Sequence, residues 1–260
     1  MSHMRGEKLE VNGINIHYEK VGNGSNIVLL LPGVLGTSRT DFNEVLEGGL
    51  DQSKFTLIAW DPPGYGFSRP PERNYTRNVY ENDADYAYNL MKKLGFNFYS
   101  VLGWSDGGKT GVFLASKYPA VIDKLVIWGA VPYSLPQTNR AFAATKNMDF
   151  WDPIIKKRFT DVYGDELDVL WNNLLDDMFR VGIANPDYMM IPEHELEKIH
   201  CPCLIMHGDK DPMVSIEHVQ FLQKHLKDSR LQHFKQASHN LHQTFPKEFH
   251  KCVTNFLLFE

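Results

Sequence analysis

The pentapeptide Gly103-Trp104-Ser105-Asp106-Gly107 follows the apolar run Phe98 to Leu102 and opens a helix-like stretch from Gly108 to Lys117. No other feature constrains the fold as much. A serine on a sharp strand-to-helix turn is held in strained backbone geometry, and its neighbours must be small for main chain to pack closely around it. Gly103 and Gly107 meet that steric demand. The Ser105 hydroxyl is then open to a histidine from one side and a carbonyl carbon from the other, which makes Ser105 the candidate nucleophile.

The surrounding sequence supplies a frame for such a turn. Leu9 to Glu19 alternates apolar and polar residues around Asn12-Gly13 and reads as a hairpin. Ile27 to Leu31 and Phe55 to Trp60 are near-continuous apolar runs, as expected of strands covered on both faces of a mostly parallel sheet. Helical spacing over Tyr80 to Leu94, a strand over Phe98 to Leu102, a helix over Gly107 to Tyr118 and a strand over Lys124 to Trp128 continue the alternation. Between Val131 and Glu195 the rhythm stops. That segment is helical in composition and broken at Pro132, Pro136, Pro153, Pro186 and Pro192; its eleven Asp and Glu against six Lys and Arg leave the rest of the chain close to neutral. It reads as an inserted helical lid. Alternation resumes with a strand over Pro202 to His207, a helix over Ser215 to Leu226, a strand over Leu231 to Phe234 and a final helix over Leu241 to Phe259.

The expectation is an α/β fold: a mostly parallel central sheet of about eight strands, flanked by helices. Residues 5–130 and 196–260 form the core and 131–195 the lid, while Met1-Ser2-His3-Met4 looks like a cloning remnant. At 260 residues the chain is long enough for one large domain with an insertion. A net charge of -5 with no basic cluster argues against nucleic acid as a partner. No apolar run approaches the ~20 residues of a membrane span. Three cysteines, without the spacing of a disulfide framework, fit a reducing compartment. Cys201, Cys203, His200 and His207 carry metal-ligating atoms, but strand alternation sends neighbours to opposite faces and no second ligand pair appears, so no metal is expected. Nor is an organic cofactor; the expected partner is a small molecule, and the expected state a monomer.

A nucleophilic serine needs a base, and the base an orienting carboxylate. After the predicted strand ending at His207 comes Gly208-Asp209-Lys210-Asp211-Pro212, a turn at the carboxyl end of the sheet, where ligand-facing groups collect. Asp211 is the candidate acid, with Asp209 assigned to stabilising the turn. His239, in Ser238-His239-Asn240 between the last strand and helix, is the candidate base; His242, one helical turn on, reads as a partly buried helix-start histidine. The oxyanion needs two donors, and the backbone N–H groups of Asp106 and Val34, the latter in the loop Pro32-Gly33-Val34-Leu35-Gly36, are the candidates. Trp104, Phe150, Trp151 and Trp171 are candidates to line an alcohol pocket, the alternative for each being lid or core packing.

Together these elements resemble the α/β-hydrolase superfamily over nearly the whole chain. Asp61-Pro62-Pro63-Gly64-Tyr65-Gly66-Phe67-Ser68 matches a turn such proteins carry after an early central strand, and reads as a structural seat for the nucleophile loop. The chain departs from the common pattern at Pro32, where many relatives carry a histidine before the first glycine of the oxyanion loop. Within the superfamily, Leu30-Leu31-Pro32-Gly33, Ala59-Trp60-Asp61-Pro62, Leu102 to Gly108, Val126-Ile127-Trp128-Gly129-Ala130 and His239-Asn240-Leu241-His242 are similar to the biphenyl hydrolase-like, or valacyclovir hydrolase, family. That resemblance implies hydrolysis of α-amino acid esters, ester prodrugs included, with the substrate ammonium held by the aspartate after the nucleophile, here Asp106. Physically, a carboxylate beside the nucleophile is costly to desolvate unless paired, and a substrate ammonium would supply the pair. Capping of the following helix is the other role open to Asp106. The alternatives are a carbon–carbon bond hydrolase of dienone ring-cleavage products, whose anionic substrates Asp106 would repel, a general carboxylesterase, and a non-catalytic ligand receptor on the same fold.

Overall fold

Strands β1 (Glu7–Val11) and β2 (Ile14–Val21) pair antiparallel through a two-residue turn, Asn12-Gly13, in which both residues have positive φ. This turn matches the right-handed twist of the strands it joins. In the computed structural model, which describes residues 6–182, 185 and 188–259, the hairpin forms one edge of an eight-stranded sheet. Met1-Ser2-His3-Met4 and Pro186 lie outside the described residues.

The other strands are β3 (Asn26–Leu31), β4 (Phe55–Trp60), β5 (Tyr99–Trp104), β6 (Ile122–Trp128), β7 (Cys203–Gly208) and β8 (Ser229–Phe234). The order across the sheet is β1-β2-β4-β3-β5-β6-β7-β8, parallel from β4 onward. From β3 the chain moves outward to β4, then returns across β3 to β5 and continues the other way. Connections therefore diverge between β3 and β5, opening a crevice at the carboxyl ends of these two strands. The loop after β3 and the turn after β5 meet there.

Side chains alternate between the faces with the period of a strand. In β3, Leu29 and Leu31 join one core with residues of helices α2 (Val79–Lys93), α3 (Asp106–Lys117) and α8 (Ile216–His225). Val28 and Leu30 join a second core with Phe42 of α1 (Ser38–Glu44) and Phe249, Val253 and Phe256 of α10 (Pro246–Phe259). Among the described residues, four α-helices lie between β6 and β7: α4 (Pro136–Ala144), α5 (Pro153–Tyr163), α6 (Leu167–Val181) and α7 (Glu193–Leu196). The Pro132 carbonyl accepts from the N–H groups of Met190 and Ile191 at 2.8 and 2.9 Å, closing the span that holds α4, α5 and α6 and leaving α7 beyond it.

Three local expectations need correction. Phe98 is 60% exposed and precedes the strand, which runs on through Trp104. The final helix is two: α9 (Leu241–Thr244) stops at Phe245, because Pro246 has no N–H to continue the ladder and starts a new helix instead. Helix α1, capped by Thr37 through the N–H groups of Arg39 and Thr40, falls where sequence periodicity indicated no element. Among the described residues, no helix is long and apolar enough to cross a membrane.

Candidate active site

Ser105 sits between β5 and α3 with φ 53° and ψ -115°, a backbone conformation that L-residues avoid. Surrounding main chain holds it there. A Cβ on Gly103 would collide with the carbonyl of Gly107, and one on Gly107 with the carbonyl of Leu31. Only glycine at both positions lets α3 turn back this tightly against β5 and β3. The Ser105 N–H donates to the Trp128 carbonyl at 2.9 Å, fixing the turn to the end of β6.

Asp211 and His239 lie on loops after β7 and β8 and meet: His239 Nδ1 is 2.8 Å from Asp211 Oδ2. The other Asp211 oxygen accepts from the N–H groups of Met213 and Val214 at 2.8 and 3.0 Å. Burial alone would push this carboxyl up, but the His239 contact and the two amides outweigh it and hold its pKa below the ordinary value. An ionised Asp211 makes Nδ1 the protonated nitrogen and leaves Nε2 as the basic one. The His239 ring stands over the end of β6: a Cβ on Gly129 would lie 2.9 Å from its Cε1. Asp209 is engaged elsewhere, with the exposed His233 at 2.6 Å. His242 is fully buried and bridges the core, its Nε2–H donating to the Asp41 carbonyl and its Nδ1 accepting from the Trp128 indole, each at 3.0 Å.

The loop after β3 packs on Ser105, since a Cβ on Gly33 would be 3.3 Å from Ser105 Cβ. Asp41 Oδ2 accepts from the Gly33 N–H at 2.8 Å. Further along, the Leu35 carbonyl accepts from the Tyr163 hydroxyl of α5 at 2.8 Å, and the same hydroxyl accepts from the Gly66 N–H at 2.9 Å. The Asp61–Ser68 turn is thereby fastened to this loop, and Asp61 Oδ1 also accepts from the Ser38 N–H. Val34 lies between the two fastened points. Among the described residues, neither its N–H nor that of Asp106 donates to an internal acceptor.

The Asp106 carboxylate does not cap α3. Its Oδ1 accepts from Lys109 Nζ at 2.7 Å and from the Tyr80 hydroxyl at 3.1 Å, in a buried ion pair one helical turn long. Lys109 is not among the candidates that the sequence offered, and it stands three residues after Asp106 in the first turn of α3.

The four aromatic candidates separate. Phe150 is 83% exposed on the outside of the helical segment, which removes it from any pocket; a short 3₁₀ turn points it outward. Trp151 and Trp171 pack edge to face at 4.6 Å with Phe159 against both, and their indoles donate to Thr145, so they form the internal core of that segment. Trp104 faces His239 and His242, with ring centroids at 5.5 and 4.7 Å.

Comparison with known proteins bears on the fold and the family. The family model described as the alpha/beta hydrolase fold matches residues 26–181. The chain is 43% identical over 256 residues to serine hydrolase BPHL of Mus musculus, covering 96% of this chain and 85% of that protein, and 42% identical over 250 residues to serine hydrolase BPHL of Homo sapiens with the same coverage. Among solved structures, the meta-cleavage product hydrolase CumD of Pseudomonas fluorescens IP01 superposes with a TM-score of 0.80 at 19% identity, over 96% of this chain and 97% of that one. At that identity the likeness concerns the fold.

Proposed function

The chain belongs to the α/β-hydrolase family and is a serine hydrolase, and on that premise we propose that it cleaves carboxylic esters, α-amino acid esters among them, through an acyl-enzyme on Ser105. The observation that carries this reading is the 2.8 Å contact between His239 Nδ1 and Asp211 Oδ2, on a loop that the Trp104 indole ties to the turn holding Ser105 at positive φ. Ser105 Oγ attacks the ester carbonyl while His239 Nε2 takes its proton. Asp211 keeps the imidazole in the tautomer that leaves Nε2 basic and balances the charge it gains. The N–H groups of Val34 and Asp106 donate to the oxyanion of the tetrahedral intermediate. His239 then protonates the departing alcohol and activates water against the acyl-enzyme, so neither metal nor cofactor enters the cycle.

The acyl class follows from what lies next to the nucleophile. Asp106 is the charged group nearest Ser105 in sequence, its carboxylate is paired with Lys109, and the resemblance to the biphenyl hydrolase-like family supports α-amino acid esters as one class among the esters taken. A fluorophosphonate probe and the ester p-nitrophenyl acetate test the core of the proposal. Covalent labelling at Ser105 and a pre-steady-state burst are expected, with kcat/KM falling by about 10³ or more in Ser105→Ala. Ester turnover that survives Ser105→Ala would rule out the acyl-enzyme route.

A further inference from the structure

Lys109 is buried like a core residue, at 1% exposure, and lies one turn of α3 beyond Ser105. An ammonium group taken out of water must find partners for its three hydrogens. Lys109 finds them: Asp106 Oδ1 at 2.7 Å, the Tyr80 hydroxyl at 2.8 Å and Met190 Sδ at 3.8 Å. The Tyr80 ring lies beneath the charge at 4.6 Å, adding a cation–π contact. Tyr80 also donates to Asp106 Oδ1, and Tyr75 bonds to Tyr80 in turn. The remaining oxygen, Asp106 Oδ2, is buried with no hydrogen-bond partner among the described residues. Asp106 lines a cavity of about 10 Å³ together with Tyr65 and Arg73, and the Arg73 guanidinium is itself paired with Asp83. The carboxylate beside the nucleophile is thus met by a resident cation at one oxygen, with a second cation on the wall of the cavity it shares.

We infer that Lys109 determines acyl specificity by acting as an internal ammonium on Asp106, so that the enzyme takes esters of neutral acyl groups about as well as the corresponding α-amino acid esters. A substrate ammonium arriving at this carboxylate gains little, because the opposite charge is already in place and cannot leave a site that satisfies all three of its hydrogens. The chemistry of acyl transfer is untouched; what changes is the discrimination between two acyl groups, which is a difference of transition-state binding. Lys109 therefore acts through Asp106 as a positioning residue, and the inference rests on the ester-hydrolase reading.

The test compares kcat/KM for L-phenylalanine benzyl ester and benzyl 3-phenylpropanoate, which differ only in the α-ammonium. Wild type is expected to treat them within about tenfold, Lys109→Met to raise the preference for the amino ester by about tenfold or more, mainly through KM, and Asp106→Asn to move the wild-type ratio by less than about threefold. The double variant Lys109→Met/Asp106→Asn, which removes both charges, should return to the wild-type ratio. Lys109→Met leaves a buried carboxylate unpaired; if it does not fold, the wild-type ratio and Asp106→Asn decide alone. A wild-type preference above about a hundredfold that collapses in Asp106→Asn overturns the inference while leaving the ester-hydrolase reading intact. Absence of turnover on either ester, in wild type and every variant, removes the ester reading and the inference with it.

Discussion

The indole N–H of Trp104, the residue before the nucleophile, donates to the backbone carbonyl of His239 at 3.0 Å. The strand that delivers the candidate nucleophile therefore also holds the loop that delivers the candidate base. Both positions are fixed from a single turn, and relative placement of reacting groups is a large part of what an enzyme contributes to rate.

Trp104→Phe keeps the ring against His239 and His242 but removes that donor. Steady-state kinetics should show kcat lowered by about tenfold with KM little changed, because the His239 loop loses its tether while the rest of the site is intact. An unaltered kcat would mean that the Asp211 contact alone positions the imidazole.

Asp211→Asn preserves an acceptor for the Met213 and Val214 amides, so thermal unfolding should change little. The amide presents N–H as readily as C=O to His239 Nδ1 and stabilises the tautomer whose Nε2 is protonated. A loss of about 10³ to 10⁴ in kcat is expected, with KM nearly constant. If unfolding shifts as much as activity, Asp211 is principally a support for the β7–α8 loop.

Tyr163→Phe deletes a hydroxyl that accepts from Gly66 and donates to Leu35. Two buried backbone groups lose their partner, which should lower stability by about 1 to 3 kcal/mol in urea unfolding. Because Leu35 adjoins the Val34 amide, kcat should fall in parallel. Full activity in a destabilised variant would show that Asp41, through Gly33, sets the loop by itself.

Asp41 and His242 touch and titrate with opposite consequences. Burial pushes His242 down to about 3, so between about 6.5 and 3 the unfolded chain holds the extra proton and stability is lost as pH falls. Burial also pushes Asp41 up to about 7, so the folded state holds the extra proton between about 4 and 7, and this contribution is lost as pH rises. Each amounts to about 5 kcal/mol at most, as an order of magnitude. Chemical denaturation at pH 7, 6, 5 and 4 should show a steeper acid loss than wild type in Asp41→Asn and a shallower one in His242→Gln. Parallel profiles for all three proteins would assign the acid response to other groups.

The architecture was legible because each strand announces itself by composition and each candidate catalytic side chain falls just after one. Ser105, Asp211 and His239 follow β5, β7 and β8, and a parallel sheet brings the ends of those strands to one edge whatever the loops do. Lys109 was not legible as a partner of Asp106: an acid and a base three apart on a helix read as a solvated surface pair, and only the packing of α2 and Met190 over them makes the pair buried. Phe150 and Trp151 are adjacent in sequence, yet one faces solvent and the other the core of its segment, a distinction set by a 3₁₀ turn with no periodic signature. Pro246 was visible in the sequence and should have divided the last helix.

The single carbonyl of Pro132, accepting from both Met190 and Ile191, brings the span that holds α4, α5 and α6 back to the point where it left the sheet. For the polymer, that segment is a closed ring, and the entropy of closing a ring rises only logarithmically, by about 0.6 kcal/mol for each doubling of its length. The sheet is accordingly almost indifferent to how much chain hangs between those two residues. Natural variation, or a designer, can lengthen, shorten or exchange the cover without renegotiating the frame on which Ser105, Asp211 and His239 stand.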